Sequence, residues 1–172
     1  MKYAKEFFMW FGMLTMVGLL SYFLYSPLPE RWGSNYYVTP ELRAAVNHFF
    51  VEAEIRGLKV PYKGLTIVLG NFDDANNPAE TLGASFGHRT IWISRKMVAM
   101  DQGEDTESCR LYIEYVVFHE LAHALLGRDH KDGTVSLMNT YCESAELYSS
   151  QPLMRQMMIN EIFLPAQINK LK

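Results

Sequence analysis

The sequence predicts an α+β fold with a small sheet, a helix that backs the sheet, a long buried helix and a C-terminal helix. Three observations support this prediction. A helical pattern starts at residue 39, two short strand patterns follow at 65–69 and 90–93, and a longer helical pattern covers 106–126. The 172 residues are enough for one domain and hardly for two.

The first helix has a clear start. Thr39 suits the N-cap, Pro40 the first helical position and Glu41 the first turn. Gly57 is expected to end it. Apolar residues follow at helical spacing, namely Leu42, Ala45, Val46, Phe49, Phe50 and Ala53. Two isolated histidines, His48 in this helix and His88 before the second strand, are expected to be ordinary core or surface residues.

The long helix is expected to begin at Thr106 and to run to Leu126. Its apolar residues cover much of the circumference, so the helix should be buried. A buried helix that also carries His, Glu and His needs a reason, because polar groups without partners are costly in a protein interior. A bound metal supplies one. A last helix is predicted from Pro152 to about Phe163.

The N-terminus predicts a membrane anchor. Lys2 and Lys5 precede an uncharged run of 19 residues, 7–25, which is close to the length needed to cross a bilayer. The run exceeds the apolar core of a signal peptide and no small-residue cleavage site follows it, although a cleaved signal peptide stays open as the alternative. The lysines favour the cytoplasmic side for residues 1–6. Residues 26–38 would then form a linker, and the domain 39–172 would lie on the extracytoplasmic side.

Charge and cysteine content narrow the function further. The net charge is −3 and no basic run is present, so nothing indicates nucleic-acid binding. Cys109 and Cys142 are the only cysteines. An extracytoplasmic domain permits a disulfide between them, and two free thiols are also compatible with the sequence.

Three of the five histidines lie within the twelve residues from His119 to His130. His119 and His123 are four residues apart, so on a helix they lie about 40° apart around the axis, one turn above the other. Two such imidazoles can bind one metal ion, and Glu120 between them can reach a water bound to it. This H-E-x-x-H pattern is typical of zinc peptidases, in which the glutamate is the general base.

A third ligand requires the chain to turn back. On a continuous helix His130 would lie about 10 Å beyond His123 along the axis, too far to share an ion. Gly127 is suited to the left-handed conformation that ends a helix. The helix is therefore predicted to end at Gly127, and the segment after it is predicted to bring His130 back to the metal. Asp129 is the alternative third ligand.

These residues resemble the metzincin clan of zinc metallopeptidases, whose pattern is H-E-x-x-H-x-x-G-x-x-H followed by a Met-turn. The segment Ser136-Leu137-Met138-Asn139 resembles the Met-turn. One departure is that three residues, not two, separate His123 from Gly127. That count places Asp129 at the position expected of the third ligand, while His130 keeps the Gly-x-x-His spacing.

The resemblance implies a compact zincin-like domain with a small mixed sheet and one Zn²⁺. It implies a membrane-anchored endopeptidase that hydrolyses peptide or protein substrates with Glu120 as general base. By the same analogy Met138 lies beneath the metal, and the strand 90–93 lies at the sheet edge, where it pairs with substrate. Tyr141 is a candidate for assisting the metal site or the oxyanion, with core packing as its alternative.

Three other interpretations stay open. In a gluzincin-type peptidase a downstream glutamate, Glu143 or Glu146, would be the third ligand. A non-catalytic zinc-binding scaffold would use the anchor and the metal to recruit a partner. A purely structural membrane protein would bind no zinc.

Overall fold

Four strands form one mixed sheet in the computed structural model, which describes residues 37–70, 83–86, 89–100, 106–140 and 144–164. Helices pack against this sheet and against each other. The predicted α+β class is therefore confirmed. In chain order the elements are β1 (Tyr37–Val38), α1 (Arg43–Ile55), β2 (Thr66–Gly70), β3 (Gly83–Phe86), β4 (Thr90–Ser94), α2 (Arg95–Met100), α3 (Thr106–Leu126), α4 (Ala145–Ser150) and α5 (Pro152–Ile162).

The strand order is β1-β2-β4-β3. β1 and β4 both run parallel to β2, and β3 runs antiparallel to β4. The expectation that the strand at 90–93 forms the sheet edge is wrong, because β3 folds back onto it and becomes the edge instead. The sequence Gly-Ala-Ser-Phe of β3 contains no β-branched residue, which is why its strand character was not recognised.

The burial of side chains along β4 alternates and shows which face of the sheet is turned towards the helices. Ile91 and Ile93 are fully buried, whereas Trp92 between them is 40% exposed. Because successive side chains of a strand point to opposite faces, one face is turned towards the helices and the other is partly open to solvent. α3 contacts β3 and β4 and also packs against α1, α2 and α4. It is therefore the central element of the core.

The predicted burial of α3 is confirmed. Every residue from Leu111 to Ala122 is buried except Tyr112, which is half-buried. Aromatic rings hold α3 to its neighbours: Phe118 meets Phe49 of α1 edge to face at 5.2 Å. Tyr115 meets Tyr148 of α4 in the same manner at 5.4 Å. Such contacts bury large apolar area and fix the rotation of the helix about its axis.

The boundaries of several elements differ from the predicted ones. The first helix starts with a 3₁₀ turn at Pro40–Leu42, and Gly57 follows its end. Tyr37 and Val38, assigned to the linker, instead pair with β2. The short helix α4 was not predicted.

The predicted anchor, 7–25, lies outside the described residues. Among the helices that the structure does describe, none has both the length and the apolar character needed to cross a bilayer.

Candidate metal site

The last turns of α3 carry two of the three clustered histidines on one face. The imidazoles of His119 and His123 lie edge to face with their centroids 4.6 Å apart, and their Nε2 atoms are 3.0 Å apart. The i, i+4 spacing on a regular helix produces this geometry. The pair depends on α3 continuing unbroken to Leu126.

Gly127 then reverses the chain. Its φ of 61° is the left-handed conformation that the sequence predicted, and the amide of Arg128 donates to the carbonyl of Ala122 at 3.1 Å. The turn brings His130 back to the helix, with its Nε2 3.3 Å from that of His119. The three histidines lie close enough to bind one metal ion, because their ligand atoms all fall within 4.8 Å of one another.

Backbone carbonyls define the tautomers of both helical histidines. The Nδ1–H of His119 donates to the carbonyl of Leu137 at 2.8 Å, and the Nδ1–H of His123 donates to the carbonyl of Arg128 at 2.5 Å. A carbonyl oxygen only accepts, so each Nδ1 carries the proton. Both Nε2 lone pairs therefore face each other. This arrangement is favourable when a cation lies between them, and such carbonyl contacts are typical of metal-binding histidines.

The nitrogen spacing suits a small tetrahedral site. Ligand nitrogens at zinc–nitrogen bond length in a tetrahedron are about 3.3 Å apart. The observed 3.0 and 3.3 Å match this spacing. His119 is buried, His123 is half-buried and His130 is exposed, so the site opens to solvent on the His130 side. The three imidazoles thus fit a metal ion, and one of them is exposed to solvent.

The alternative ligands are not part of this cluster. Asp129 and Glu146 are both exposed, and neither belongs to the group of described residues that could share an ion. Glu143, the other gluzincin candidate, lies outside the described residues, as do Tyr141, Cys142 and His88. Cys109 is half-buried on α3. His48 is not in the cluster and contacts Glu114 and Glu52 instead.

The segment 136–139, which resembles the Met-turn, contacts His119 through its backbone. Leu137 supplies the carbonyl that accepts from His119. The Ser136 hydroxyl accepts from the amide of Met138 at 3.1 Å, and the Ser136 carbonyl accepts from the buried Tyr115 hydroxyl at 3.2 Å. Ser136 and Met138 are themselves buried. The turn is therefore fastened to α3 and holds the His119 ring in orientation.

Burial sets the proton affinities of the site. It raises the pKa of Glu120, which is 6% exposed, to about 7. This value suits a group that takes and releases a proton near neutral pH, and a nearby bound cation would lower it. Burial also lowers the pKa of His119 to about 4, although the hydrogen bond to Leu137 opposes that change. His119 is therefore neutral at pH 7 and able to act as a ligand.

Two residues of the site were not identified from the sequence. Arg128 is 4% exposed and donates from Nε to the carbonyl of Ile162 at 2.7 Å, so it ties the turn after α3 to the end of α5. Gly83 of β3 lies directly against Glu120. The only sequence signal for Arg128 was its place between the glycine and the third histidine. No local signal distinguished Gly83.

Comparison with known proteins adds nothing to this geometry. No known protein family, curated protein or solved structure matches the chain.

Proposed function

We propose that the chain is a membrane-anchored, zinc-dependent endopeptidase of the metzincin type. The observation that supports this most directly is the convergence of three imidazole nitrogens at the end of a helix that also carries a buried glutamate beside them. A buried carboxylate next in sequence to a ligand histidine, with no charged partner among the described residues, is the arrangement expected of a metal-assisted hydrolase.

His119, His123 and His130 would hold the ion, and three protein ligands would leave one coordination position for water or substrate. When bound, Zn²⁺ supplies a Lewis acid that makes water acidic near neutral pH and polarises a carbonyl oxygen. Transfer of the proton of the attacking water is assigned to Glu120. A carboxylate oxygen of Glu120 takes it from the attacking water and later donates it to the amine that leaves the cleaved peptide bond.

Leu137 and Arg128 orient the two helical imidazoles through their carbonyls. The exposure of His130 leaves the approach to the site open on one side. The finer fold assignment, a zincin-like domain on the extracytoplasmic side of a membrane, is part of the same proposal. It is supported by the motif, by the segment 136–139 and by the apolar run 7–25.

The test uses the full chain purified in detergent. Metal analysis should find one zinc per chain, and a peptide library should be cleaved. Glu120→Gln should retain the zinc and lose turnover by about 10²- to 10⁴-fold, because a general base contributes that much. Glu146→Gln is the matched control, since Glu146 is exposed on α4 and should change neither property. Full turnover in Glu120→Gln would exclude Glu120 as the base, and a chain without metal would exclude the proposal.

A further inference from the structure

Gly83 of the edge strand β3 lies close to the helix α3. This residue is opposite Ile93 in the antiparallel pair, on the face of the sheet that is turned towards the helices. A Cβ atom added to Gly83 would lie 2.8 Å from Cγ and 2.9 Å from Oε1 of Glu120. It would also lie 3.0 Å from Cγ1 of Val116. Because Gly83 has no side chain, the Glu120 side chain can occupy this space.

The identity of the contacting atoms decides what a side chain at this position would do. Two of the three belong to the flexible Glu120 side chain, Oε1 at its end and Cγ in its middle, and rotation about its torsions can carry both away from an intruding methyl group. The third belongs to Val116, which has to shift by only a few tenths of an ångström. A larger residue at position 83 is thus expected to displace the carboxylate while the fold and the three imidazoles stay in place.

We propose that Gly83 is a positioning residue for Glu120, because the absence of a side chain on β3 leaves free the space between β3 and α3 that the Glu120 carboxylate occupies. The catalytic consequence rests on the proposed function; the steric coupling between the two residues does not. Sub-ångström placement of a general base matters, since misplacement of about 1 Å can lower a rate by about 10²-fold.

Gly70 offers a matched control. It ends β2 on the opposite face of the sheet, and a Cβ there would lie 2.9 Å from the Trp92 ring. Gly70→Ala and Gly83→Ala therefore introduce the same methyl group into a strand glycine with a similarly close side-chain neighbour. Only Gly83→Ala touches Glu120.

The first experiment compares the two variants as zinc-loaded full chains. Gly83→Ala should lower kcat at least tenfold while KM changes less than about twofold, and the zinc affinity measured by chelator competition should be unchanged. Gly70→Ala should leave kcat unchanged. Unaltered kcat in Gly83→Ala would overturn the positioning role.

The second experiment needs no catalysis, so it separates this proposal from the proposed function. Thermal unfolding midpoints are measured for wild type, for Gly83→Ala, for Glu120→Ala and for the double variant. The substitution Gly83→Ala should lower the midpoint when Glu120 is present. In the Glu120→Ala background it should leave the midpoint unchanged or raise it, because glycine in a strand is otherwise unfavourable. Equal shifts in both backgrounds would overturn the coupling. If Gly83→Ala alone does not fold, folding of the double variant supports the coupling and its failure refutes it.

Discussion

Two buried glutamates on the same helix have opposite electrostatic environments. Glu114 and Glu120 of α3 are 4% and 6% exposed. Glu114 accepts from the Tyr148 hydroxyl at 2.8 Å and pairs with Nδ1 of His48 at 2.9 Å. Burial alone would raise its pKa, but these partners outweigh burial and lower it. For Glu120, burial raises the pKa to about 7.

The comparison shows that burial does not decide the role of a carboxylate; its partners do. Glu114 is surrounded by groups that stabilise its charge, so it joins α1, α3 and α4 as a structural element. Glu120 lies against Gly83, which supplies no charge, so burial alone sets its pKa and brings it close to neutral pH. The opposite pKa shifts of two glutamates on one helix thus follow from the groups that the neighbouring elements place beside them.

Removal of Glu114 should produce the largest stability effect. In Glu114→Ala the buried hydroxyl of Tyr148 loses its acceptor and His48 loses its counter-charge. We expect unfolding free energy to fall by about 3 kcal/mol, at the lower end for a buried pair because His48 is partly exposed to water. Urea unfolding measures the change.

The matched control is Glu107→Ala on the same helix, where an exposed glutamate pairs with Arg110 at 2.9 Å and less than about 0.5 kcal/mol should be lost. The folded fraction of Glu114→Ala should bind zinc normally. Loss of zinc binding in that variant would contradict the separation of the two carboxylates.

Arg128 extends the comparison to a buried cation. Its guanidinium donates to the carbonyls of Ile162 and Leu164, and its own carbonyl accepts from His123. Arg128→Ala should lower stability by about 2 kcal/mol. It should also weaken zinc binding about tenfold, because the carbonyl that orients His123 is less firmly held.

Chelator competition and urea unfolding measure the two effects. Lys131→Ala is the control, since Lys131 is exposed and its ion pair with Glu161 lies at the surface. If both variants bound zinc equally well, the contact between Arg128 and α5 would have no part in the metal site.

The smallest expected effect is a pH dependence of the pair of His48 and Glu114. Burial lowers the pKa of His48, but its bonds and charge interactions with Glu114 and Glu52 outweigh burial and raise it above 6.5. The pKa of Glu114 lies below 4.5. A raised histidine pKa contributes stability below pH 6.5 that is lost as the pH rises through the folded-state pKa. A lowered glutamate pKa contributes stability above pH 4.5 that is lost as the pH falls.

Wild type should therefore exceed His48→Gln in unfolding midpoint by most at about pH 5.5, and the excess should shrink towards about pH 8. Thermal unfolding of both proteins across this range measures the difference, in which the titration of groups common to both cancels. A difference that does not vary with pH would mean that His48 is neutral in its contact with Glu114.

Much of the site was predictable because its geometry is local. The four-residue spacing of His119 and His123 requires only a helix, and the reversal at Gly127 requires only a residue that tolerates positive φ. Both were predicted and both are present. The edge position of the strand at 90–93 was transferred by analogy and was wrong, because the short strand β3 has too weak a pattern to be recognised before its partner is known.

The sequence by itself determined the α+β class, the buried helix α3 and the convergence of three histidines, because these depend on periodicity and on contacts within about a dozen residues. Tertiary structure alone decided which buried charges have partners. Tyr148 lies 34 residues from Glu114, and Ile162 lies 34 residues from Arg128. Gly83 meets Glu120 only because β3 adds to the sheet beside α3. Contacts between distant segments are set by packing of the whole core, which no local pattern encodes.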